Sequence, residues 1–480
     1  MSEGLDYAKI GLKSGLEIHQ QLDSHKLFCA CPSVLRKDEP EYEIVRKLHV
    51  VAGEGGKVDI AAAHEASLDK KFVYQGYDST CLIELDEEPP REINEEALMT
   101  ALHIALLLNA TILPISQIMR KTVINGSNTS GFQRTVMIAR GGYVETSYGK
   151  VSIEGIFLEE DSARTVTTEK DKVVYRLDRL GIPLVEIATA PDIKTPEQGK
   201  EAALKIGEIL RSCKVKRGIG TIRQDINLSI KGGNRVELKG FQDLDLMIKA
   251  YDTEIKRHLT FVEKGQKNPT EVRDVLDDGT SKFLRPMPGS DRMYPETDLP
   301  LLKISREFID EVKKTLPKLK GVIEDSLKKD GLAEEYIKSL FKQNKVELYK
   351  ELYYLLPKAN LIAKMILVFP KEFATKKKKN LEEIENLLED NYSGVLNLLM
   401  KKKIKEEHIK DILSKIVDGK STEEAVKIEE AEENIEEKIM AIIKGKPGLN
   451  ENAYMGLVMK EFKGKISGSE AMEIIRKLMK

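Results

Sequence analysis

The hydrophobic residues of this chain change their spacing near Pro300, and this change limits the folds that the chain can adopt. Before Pro300, apolar and polar residues alternate in short runs that Gly and Pro interrupt, as in KVSIEGIFL and GIPLVEIATAPDI. Alternation with a period of two is typical of β-strands that are buried on one face. After Pro300, apolar residues recur almost only at helical spacing, among many Lys and Glu residues. The sequence therefore predicts an α+β fold.

The same change divides the chain into predicted domains. We expect an N-terminal domain over residues 1–300, a mixed α/β domain whose sheet is rich in antiparallel pairs. An all-α helical domain follows over residues 301–425, with short amphipathic helices such as SREFIDEVKKTL and NLEEIENLLEDN. A small all-α tail domain is predicted over residues 426–480, beginning with the acidic stretch KIEEAEENIEEKI.

Two helices within the N-terminal domain have clear start signals. One is predicted from about Asn94 to Leu108, with an Asn cap and two glutamates in its first turn. The other begins at Thr195, an N-cap residue that a proline follows at the first helical position. Cys213 ends the apolar stripe of this second helix and is predicted to lie in the core. Cys81 is predicted to be a strand residue of the core.

Composition indicates a cytoplasmic protein with no membrane partner. The 480 residues include only four cysteines, too few for a disulfide scaffold, and no apolar run approaches the roughly 20 residues that cross a bilayer. The first residues, MSEGLDYAKI, lack the features of a signal peptide. Net charge is −2 overall, with −6 in residues 1–300 and +4 in residues 301–480. The basic C-terminal third is compatible with nucleic acid, although a solvated lysine-rich surface is the simpler explanation.

A candidate metal site begins in GLEIHQQL. On a strand, Glu17 and His19 project from the same face, because successive side chains alternate. A carboxylate and an imidazole at this spacing can bind one cation, although most such pairs are only exposed polar residues.

Two further segments strengthen the metal hypothesis. IFLEEDSAR places Glu159, Glu160 and Asp161 after an apolar run, and Glu186 stands inside the apolar run of GIPLVEIATAPDI. A carboxylate in an apolar strand needs a compensating charge, since burying it alone costs many kcal/mol. Oxygen ligands from three strands favour Mg²⁺, which leaves positions open for phosphates. Of the two glutamates, we expect Glu159 to be the inner ligand.

A candidate phosphate-binding loop is NGSNTSGFQRT, which contains Ser130, Gly131 and Arg134. Its backbone N–H groups and guanidinium suit a phosphate, and we assign Arg164 to the same role. An ordinary surface loop is an equal alternative, since neither a Walker A nor a Rossmann glycine pattern is present. The arginines of RPMPGSDRMYPETD could also face a phosphate, but the sequence alone does not show this.

These segments occur in an order that resembles one known family. GLEIHQQL, KLFC-x-C, LEED, GIPLVEIATAPDI, RQDINLSI, RVELKGFQDLD and RMYPETD follow one another as in the B and E subunits of tRNA-dependent amidotransferases. RMYPETDLP, NGSNTSGFQRT and CLIELDEEPP favour the archaeal type, the E subunit of glutamyl-tRNA(Gln) amidotransferase (GatE). The resemblance covers about residues 9–310 and resumes at AYMGLVMKEFKGK.

The resemblance implies a cradle domain, a helical domain and a tail domain that together act as a ligase. ATP phosphorylates the γ-carboxylate of glutamate on tRNA(Gln), and ammonia then displaces phosphate to give Gln-tRNA(Gln). The ammonia is expected from an asparaginase-like glutaminase partner (GatD). Glu17, His19, Glu159 and Glu186 match the catalytic Mg²⁺ and ATP site of the family.

Two departures from the family are visible. Cys29 and Cys31 resemble half of a four-cysteine zinc site in B subunits, but the next cysteine comes fifty residues later, so we expect no structural zinc. GatE proteins also usually carry an insert of over a hundred residues before RPMPG. Only about thirty residues lie between His258 and Arg292, and EVRDVLDDGTSKFL resembles the two flanks joined directly.

For tRNA binding, the tail is the predicted region. Lys460, Lys463 and Lys465 lie at a helix end and in the KGK turn, where they can reach phosphates. Three alternatives stay open at this stage: a B-type subunit that also acts on Asp-tRNA(Asn), a non-catalytic tRNA-binding scaffold, and a Mg²⁺-dependent enzyme for another carboxylate.

Overall fold

The computed structural model describes residues 5–53, 55–241, 244–289, 292–462 and 466–479, and describes the backbone alone over 428–434. The chain forms two compact units, residues 1–320 and 321–480, and each is described by itself. The first unit therefore extends twenty residues beyond the boundary predicted at Pro300. The reason is a helix over Arg306–Lys314, whose Val312 is fully buried in the core of the first unit.

The described part of the first unit contains eighteen strands and six α-helices, numbered here in chain order. The helices are α1 (Tyr7–Ile10), α2 (Ile60–Ser67), α3 (Glu95–Leu107), α4 (Pro196–Ser212), α5 (Leu244–Glu263) and α6 (Arg306–Lys314). The strands are β1 (Lys13–Gln21), β2 (Tyr42–Arg46), β3 (Lys71–Gly76), β4 (Thr111–Ile112), β5 (Ile115–Ser116), β6 (Met119–Thr122), β7 (Phe132–Arg140), β8 (Tyr143–Thr146), β9 (Gly149–Glu160), β10 (Arg164–Thr168), β11 (Lys172–Arg176), β12 (Pro183–Thr189), β13 (Ile222–Ser229), β14 (Val236–Phe241), β15 (Glu271–Val275), β16 (Ser281–Pro286), β17 (Met293–Pro295) and β18 (Leu302–Lys303).

One large sheet dominates the first unit. Its strands lie in the order β16-β15-β14-β13-β1-β12-β9-β7-β6-β17, with β4 paired to β7 and β8 to β9. All of these pairs are antiparallel except β14–β15. A second sheet has the order β10-β11-β3-β2, and β5 pairs with β18. The predicted α+β fold with an antiparallel-rich sheet is confirmed.

The large sheet is apolar on one face and polar on the other. Ile18 on β1, Ile187 on β12 and Leu158 on β9 are fully buried in the core, into which Ala202 of α4 also packs. Each of the isoleucine and leucine side chains contributes about 1.5–3 kcal/mol through burial. Because side chains alternate along a strand, the residues between these positions project from the opposite face of the sheet. That polar face forms the site described below.

The helix starts follow the sequence signals. The Asn94 side chain accepts hydrogen bonds from the backbone N–H groups of Glu96 and Ala97, and Thr195 accepts one from Gln198. Cys213 at the end of α4 is buried, as predicted. Cys81 is not a strand residue: it lies in the irregular segment between β3 and α3.

A short hairpin lies where the resemblance leads one to expect an inserted domain. β15 and β16 pair antiparallel, and the backbone N–H of Leu276 donates to the carbonyl of Thr280 at 2.8 Å. Gly279 in this turn has φ of +80°, a left-handed conformation that glycine adopts without strain. The two flanks are thus joined directly, as the sequence predicts.

The described part of the second unit is helical. Its α-helices are α7 (Lys320–Lys329), α8 (Glu334–Lys342), α9 (Val346–Leu355), α10 (Ala359–Leu367), α11 (Phe369–Lys377), α12 (Leu381–Met400), α13 (Ile409–Val417), α14 (Thr422–Gly445), α15 (Glu451–Glu461) and α16 (Gly468–Leu478). Two separate apolar clusters lie within it, one over residues 327–426 and one over residues 439–475. The division into a helical and a tail domain stays a prediction; the two clusters favour it, although α14 runs through the predicted boundary.

Across the described residues, we find no helix that combines the length and the apolar character needed to cross a bilayer.

Candidate functional site: an acidic cleft on the polar face of the large sheet

The polar face of the large sheet forms a cleft of about 550 Å³, which we call the central cleft. Strand register places its acidic residues together. His19 on β1 lies opposite Glu186 on β12, and Glu159 on β9 lies opposite Leu184, two residues from Glu186 on the same face. On the other side of β1, Glu17 lies opposite Asp225 of β13. Residues far apart in sequence therefore meet on one surface.

The first group of ligand-type side chains is the histidine cluster, which comprises His19, Glu159 and Glu186. One donor atom from each lies within 4.8 Å of the others. His19 Nε2 is 3.3 Å from Glu186 Oε2. The Lys121 ammonium contacts Glu159 Oε1 at 2.5 Å and Glu186 Oε2 at 3.5 Å, and Gln133 donates to Glu159 Oε2 at 3.0 Å. This cluster can hold one cation, and Lys121 already lies between two of its carboxylates.

The second group is the aspartate cluster, which comprises Glu17, Asp225 and Glu237, again with donor atoms within 4.8 Å of one another. Lys239 contacts Asp225 Oδ2 at 2.6 Å and Glu237 Oε1 at 2.5 Å. Asn227 donates to Glu17 Oε1 at 2.8 Å. Both clusters line the central cleft, so the cleft offers two adjacent sets of oxygen-rich ligands.

The acids of the cleft are not equally easy to ionise. Burial, and then the charge of Glu186, raises the pKa of Glu159 above its usual value. Burial and two neighbouring carboxylates also raise the pKa of Glu17. Burial alone would raise the pKa of Glu186 too, but Lys121 and His19 lower it well below its usual range. Burial and like charge thus make Glu159 and Glu17 harder to ionise, and a divalent cation bound beside them would offset both effects.

Basic and polar side chains surround these acids. The arginines that line the central cleft are Arg223, Arg235, Arg285 and Arg292, and Asn125 and Ser127 also line it. Guanidinium groups bind phosphate oxygens in a bidentate manner. A cleft with carboxylates at its floor and arginines around them suits a metal-bound polyphosphate.

Comparison with known proteins identifies the family. Residues 12–310 match the family described as the GatB/GatE catalytic domain. The chain belongs to the GatB/GatE family. The relatives include the E subunit of a glutamyl-tRNA(Gln) amidotransferase from Methanocaldococcus jannaschii, 38% identical over 635 positions that cover 99% of each chain. Similar proteins of the same name from Methanothermobacter thermautotrophicus and Archaeoglobus fulgidus are 34% and 33% identical, covering 94% and 99% of both chains. The resemblance to GatE is confirmed.

The alignment with the Methanocaldococcus relative also supports the prediction that this chain lacks the inserted domain. It spans 635 positions, whereas this chain has 480 residues, so at least 155 positions of the alignment have no residue here. Together these positions equal a whole domain in length. The β15–β16 hairpin is the place where the sequence predicts this difference from other GatB/GatE proteins.

The four residues predicted to bind phosphate do not line the central cleft. Arg134 is buried, and its guanidinium contacts Glu296 Oε2 at 2.7 Å and Glu160 Oε1 at 3.3 Å. It projects from the face of β7 opposite to that of Gln133, which does reach the cleft. Ser130 and Gly131 lie in the turn before β7, where the Ser130 hydroxyl donates to the carbonyl of Phe132 at 2.9 Å.

Arg164, the fourth of these residues, lies on the second sheet rather than in the central cleft. Its Nη2 contacts Asp178 Oδ2 at 2.6 Å and the carbonyl of Arg36 at 3.0 Å. The phosphate-binding role of these four residues stays a prediction; both arginine side chains are held by carboxylates outside the central cleft. Asn125 and Ser127, from the first half of the same predicted loop, are the residues that reach the cleft.

Alternation also separates the two candidate glutamates of β9. Glu159 lies in the central cleft, whereas Glu160 is held by Arg134 on the opposite face. Sequence reasoning missed Asp225, Glu237 and their lysine partner. The signal was present, because RQDINLSI and RVELKGF alternate in the same way as GLEIHQQL.

A separate group of side chains lies outside the central cleft. We call it the thiol cluster; it comprises Cys29, Cys31, Cys81 and Glu84, with donor atoms within 4.8 Å of one another. The prediction of no structural zinc assumed that Cys29 and Cys31 have no further ligands nearby. That assumption is wrong, because the chain folds back and brings Cys81 and Glu84 beside the first two cysteines.

Of the predicted tRNA-binding lysines, Lys460 is exposed near the end of α15. Lys463 and Lys465 lie outside the described residues, so their placement stays a prediction.

Proposed function

We propose that this chain is the component of a tRNA-dependent amidotransferase that converts Glu-tRNA(Gln) into Gln-tRNA(Gln). The central cleft carries this proposal, because two acidic clusters with arginines around them lie within the region that matches the GatB/GatE catalytic domain. The relatives named as the E subunit of that amidotransferase supply the substrate class. A carboxylate does not react with ammonia until one of its oxygens becomes a good leaving group, and ATP chemistry provides this.

The reaction requires two transfers. First, a γ-carboxylate oxygen of the tRNA-bound glutamate attacks the γ-phosphorus of ATP, and ADP leaves. Ammonia then attacks the carbonyl carbon of the acyl phosphate, inorganic phosphate leaves with the bonding electrons, and the nitrogen loses one proton. The arginines of the cleft are suited to hold the phosphates in line with the attacking carboxylate.

The residues present fit a Mg²⁺ ion. Two carboxylates and one imidazole in the histidine cluster leave room for phosphate oxygens, and burial together with like charge makes the unmetallated state costly. Glu159 and Glu186 would hold the ion together with His19, and the aspartate cluster offers a second position beside it. A cation there would offset charge on the transferring phosphoryl group.

Lys121 and Lys239 have a related role on the protein side. Each ammonium lies between two carboxylates of one cluster and offsets part of their charge while no cation is bound. Asn227 and Gln133 add neutral hydrogen bonds to Glu17 and Glu159. The carboxylates are thus held in fixed positions before substrate enters, which lowers the cost of organising the site.

Ammonia is proposed to come from a separate glutaminase, the asparaginase-like GatD. The relatives are each named as one subunit of an amidotransferase, which indicates that they work within an assembly. For tRNA, the exposed Lys460 on α15 supports a contact with phosphates. A filter-binding salt titration with Lys460→Glu would show a weaker affinity and a shallower salt slope, whereas the exposed Lys329→Glu in α7 serves as a control of equal charge change.

The decisive experiment supplies Glu-tRNA(Gln), ATP, Mg²⁺ and free ammonia to the chain and follows transfer of the γ-phosphate and formation of Gln-tRNA(Gln). Wild type is expected to form product, and Glu186→Gln is expected to lose ATP-dependent turnover while still binding tRNA. Glu154→Gln, at an exposed position of β9, is the control.

Two other outcomes would contradict the proposal. If wild type consumes no ATP even with the glutaminase and ammonia present, a tRNA-binding scaffold is the better explanation. If Asp-tRNA(Asn) is amidated as fast as Glu-tRNA(Gln), the chain acts as a B-type subunit.

A further inference from the structure

The two edge strands of the large sheet are joined by one short stretch of chain. β16 and β17 stand at opposite ends of the ten-strand order, and only seven residue steps separate Pro286, the last residue of β16, from Met293, the first of β17. Ten strands side by side in a flat sheet would place these edges about 43 Å apart, whereas seven steps of extended chain span at most about 25 Å. The sheet must therefore curl until its two edges approach each other.

The central cleft lies inside this curl. Arg285 from β16 lines it together with Lys121 from β6, the strand beside the other edge. The connecting chain contributes Met287 and Arg292, so it runs along the cleft as well. We call residues 286–289 the bridging segment. One cleft arginine immediately precedes this segment, and another follows it three residues later.

The bridging segment has few hydrogen-bond donors of its own. Pro286 and Pro288 lack a backbone N–H, so only Met287 and Gly289 can donate from the main chain. The proline rings also fix two of the four φ angles, which makes the segment stiff. The direction in which a stiff segment runs depends on where its ends are held.

One buried carboxylate holds the far end of the segment. Asp59 is only 5% exposed, and its Oδ2 accepts a hydrogen bond from the Gly289 N–H at 2.7 Å. Its other oxygen, Oδ1, accepts from the N–H groups of Ala61 and Ala62 at 3.0 and 3.1 Å and so caps α2. Hydrogen bonds to an ionised acceptor are stronger than those between neutral groups. Asp59 therefore joins the bridging segment to the first turn of α2.

α2 in turn packs against the strand that precedes the segment. His64 of α2 contacts Phe283 of β16 edge to face, with ring centroids 6.4 Å apart. At the start of α2, Asp59 lines a small cavity of about 80 Å³, which Arg285 and Arg292 also line. Both arginines line the central cleft as well, whereas Asp59 does not. The carboxylate is thus a neighbour of both arginines outside the cleft.

We propose that Asp59 is a positioning residue of the active site. By holding Gly289 it keeps the bridging segment in one place, so that Arg285 and Arg292 face the cleft before ATP enters. Cations that are already in place bind phosphate oxygens without a further cost of ordering. The inference rests on the proposed function, in which the arginines of the cleft hold the phosphates of ATP. Asp59 acts only through these arginines.

The variant Asp59→Asn separates the two roles of the carboxylate. Asparagine caps helices as well as aspartate does, but its NH₂ group cannot accept the Gly289 N–H while its carbonyl oxygen caps α2. We expect an unchanged melting temperature and a KM for ATP about tenfold higher, because ATP then binds only the fraction of molecules whose arginines are in place. The kcat at saturating ATP should stay close to that of wild type. Asp6→Asn, the same change at the exposed cap of α1, is the control.

A double-mutant cycle shows whether Asp59 acts through the arginines. Isothermal titration calorimetry with ATP and Mg²⁺ would measure the dissociation constant in a background that carries Arg285→Gln and Arg292→Gln. In that background Asp59→Asn should raise the constant by less than about twofold, since the groups that it positions are absent. A full tenfold effect there would mean that Asp59 only supports the fold, and would overturn the proposal.

Hydrogen exchange of wild type tests the same idea without any variant. Without nucleotide, the Gly289 amide should exchange at least about tenfold more slowly than in an unstructured peptide, because its N–H is bound to a buried acceptor. Exchange at the rate of an unstructured peptide would contradict the proposal, even where Asp59→Asn fails to fold.

Two outcomes distinguish failure of this inference from failure of the proposed function. If wild type binds no ATP, both fail together. If wild type binds ATP and forms Gln-tRNA(Gln), but Asp59→Asn has the KM of wild type, the positioning role alone is refuted and the amidotransferase proposal stands.

Discussion

The central cleft and the thiol cluster both take residues from the short stretch 17–31, yet they differ in every property that decides what a metal does. The cleft offers oxygen and one imidazole, and measures about 550 Å³. The thiol cluster offers three sulfurs and one carboxylate oxygen, and the cavity beside it measures only about 20 Å³. Hard ligands with open space suit Mg²⁺ and phosphates, whereas soft ligands without space suit a structural Zn²⁺. The type of donor atom and the degree of enclosure therefore suffice to distinguish a site suited to catalysis from a site suited to structural support.

The largest effect is expected from Glu159→Gln, which removes a ligand in the cleft. We expect about 10²–10³-fold lower formation of Gln-tRNA(Gln), because charge on the transferring phosphoryl group loses its stabilisation. Thermal stability should change little, since burial already opposes ionisation of Glu159. Turnover and melting temperature would be measured together. If the variant lost thermal stability as well as turnover, Glu159 would have a structural role, and the difference from the thiol cluster would no longer hold.

The next effect concerns stability rather than turnover. If the thiol cluster holds a zinc ion, a strong chelator should destabilise the protein by about 3–4 kcal/mol, the stabilisation that a ligand provides at roughly 100–1,000 times its dissociation constant. Differential scanning calorimetry would then show a melting point several degrees lower. Chelation of the Cys81→Ser variant should produce a much smaller shift. A similar shift in that variant would assign the effect to the cleft instead.

The third prediction concerns an acid of the cleft whose charge is offset by neighbouring arginines. Asp161 is buried; burial would raise its pKa, but Arg223 and Arg179 lower it below its usual value. A lowered pKa in the folded state means that the stability gain is present above the unfolded pKa of about 3.9 and is lost as pH falls through the folded value. Asp161→Asn should therefore cost about 2 kcal/mol at pH 7, and this cost should shrink progressively as pH falls below about 3.9, by urea unfolding. A cost independent of pH would contradict this.

The smallest effect is expected from Lys121→Met. Lys121 contacts two carboxylates of the histidine cluster, so it competes with a cation for them. Without the ammonium, Mg²⁺ should bind about tenfold more tightly, because one opposing charge at a few ångströms contributes at least about 1 kcal/mol. Isothermal titration calorimetry would measure this, with Lys239→Met as the matched change in the aspartate cluster. Weaker binding would show that Lys121 supports the cation rather than competes with it.

The sequence predicted what depends on alternation along a single strand. Glu17, His19 and Glu186 project as expected, because each stands next to an isoleucine that enters the core. What it did not predict depends on register and on contacts between distant segments. Arg134 differs from Gln133 by one position along β7, and only the carboxylates of Glu160 and Glu296 explain why its side chain is buried.

The cysteines illustrate the same limit. A count of spacings along the chain treated residues 31 and 81 as distant, whereas loop closure brings them together at a modest entropic cost. A search for pairs of cysteines also could not find Glu84, because its side chain is a carboxylate. Cys213 could be assigned correctly because helical periodicity alone determines its environment.

The β15–β16 hairpin has a consequence for how this family changes its size. In an antiparallel hairpin the two strand ends lie side by side, so the turn can be replaced by a folded module whose own termini are close together. β15 would keep its register with β14 and β16 its register with β15, so Asp274 and Arg285 would keep their places along the cleft. The hairpin is thus a junction at which a folded module can be gained or lost while the strands that line the cleft stay in place.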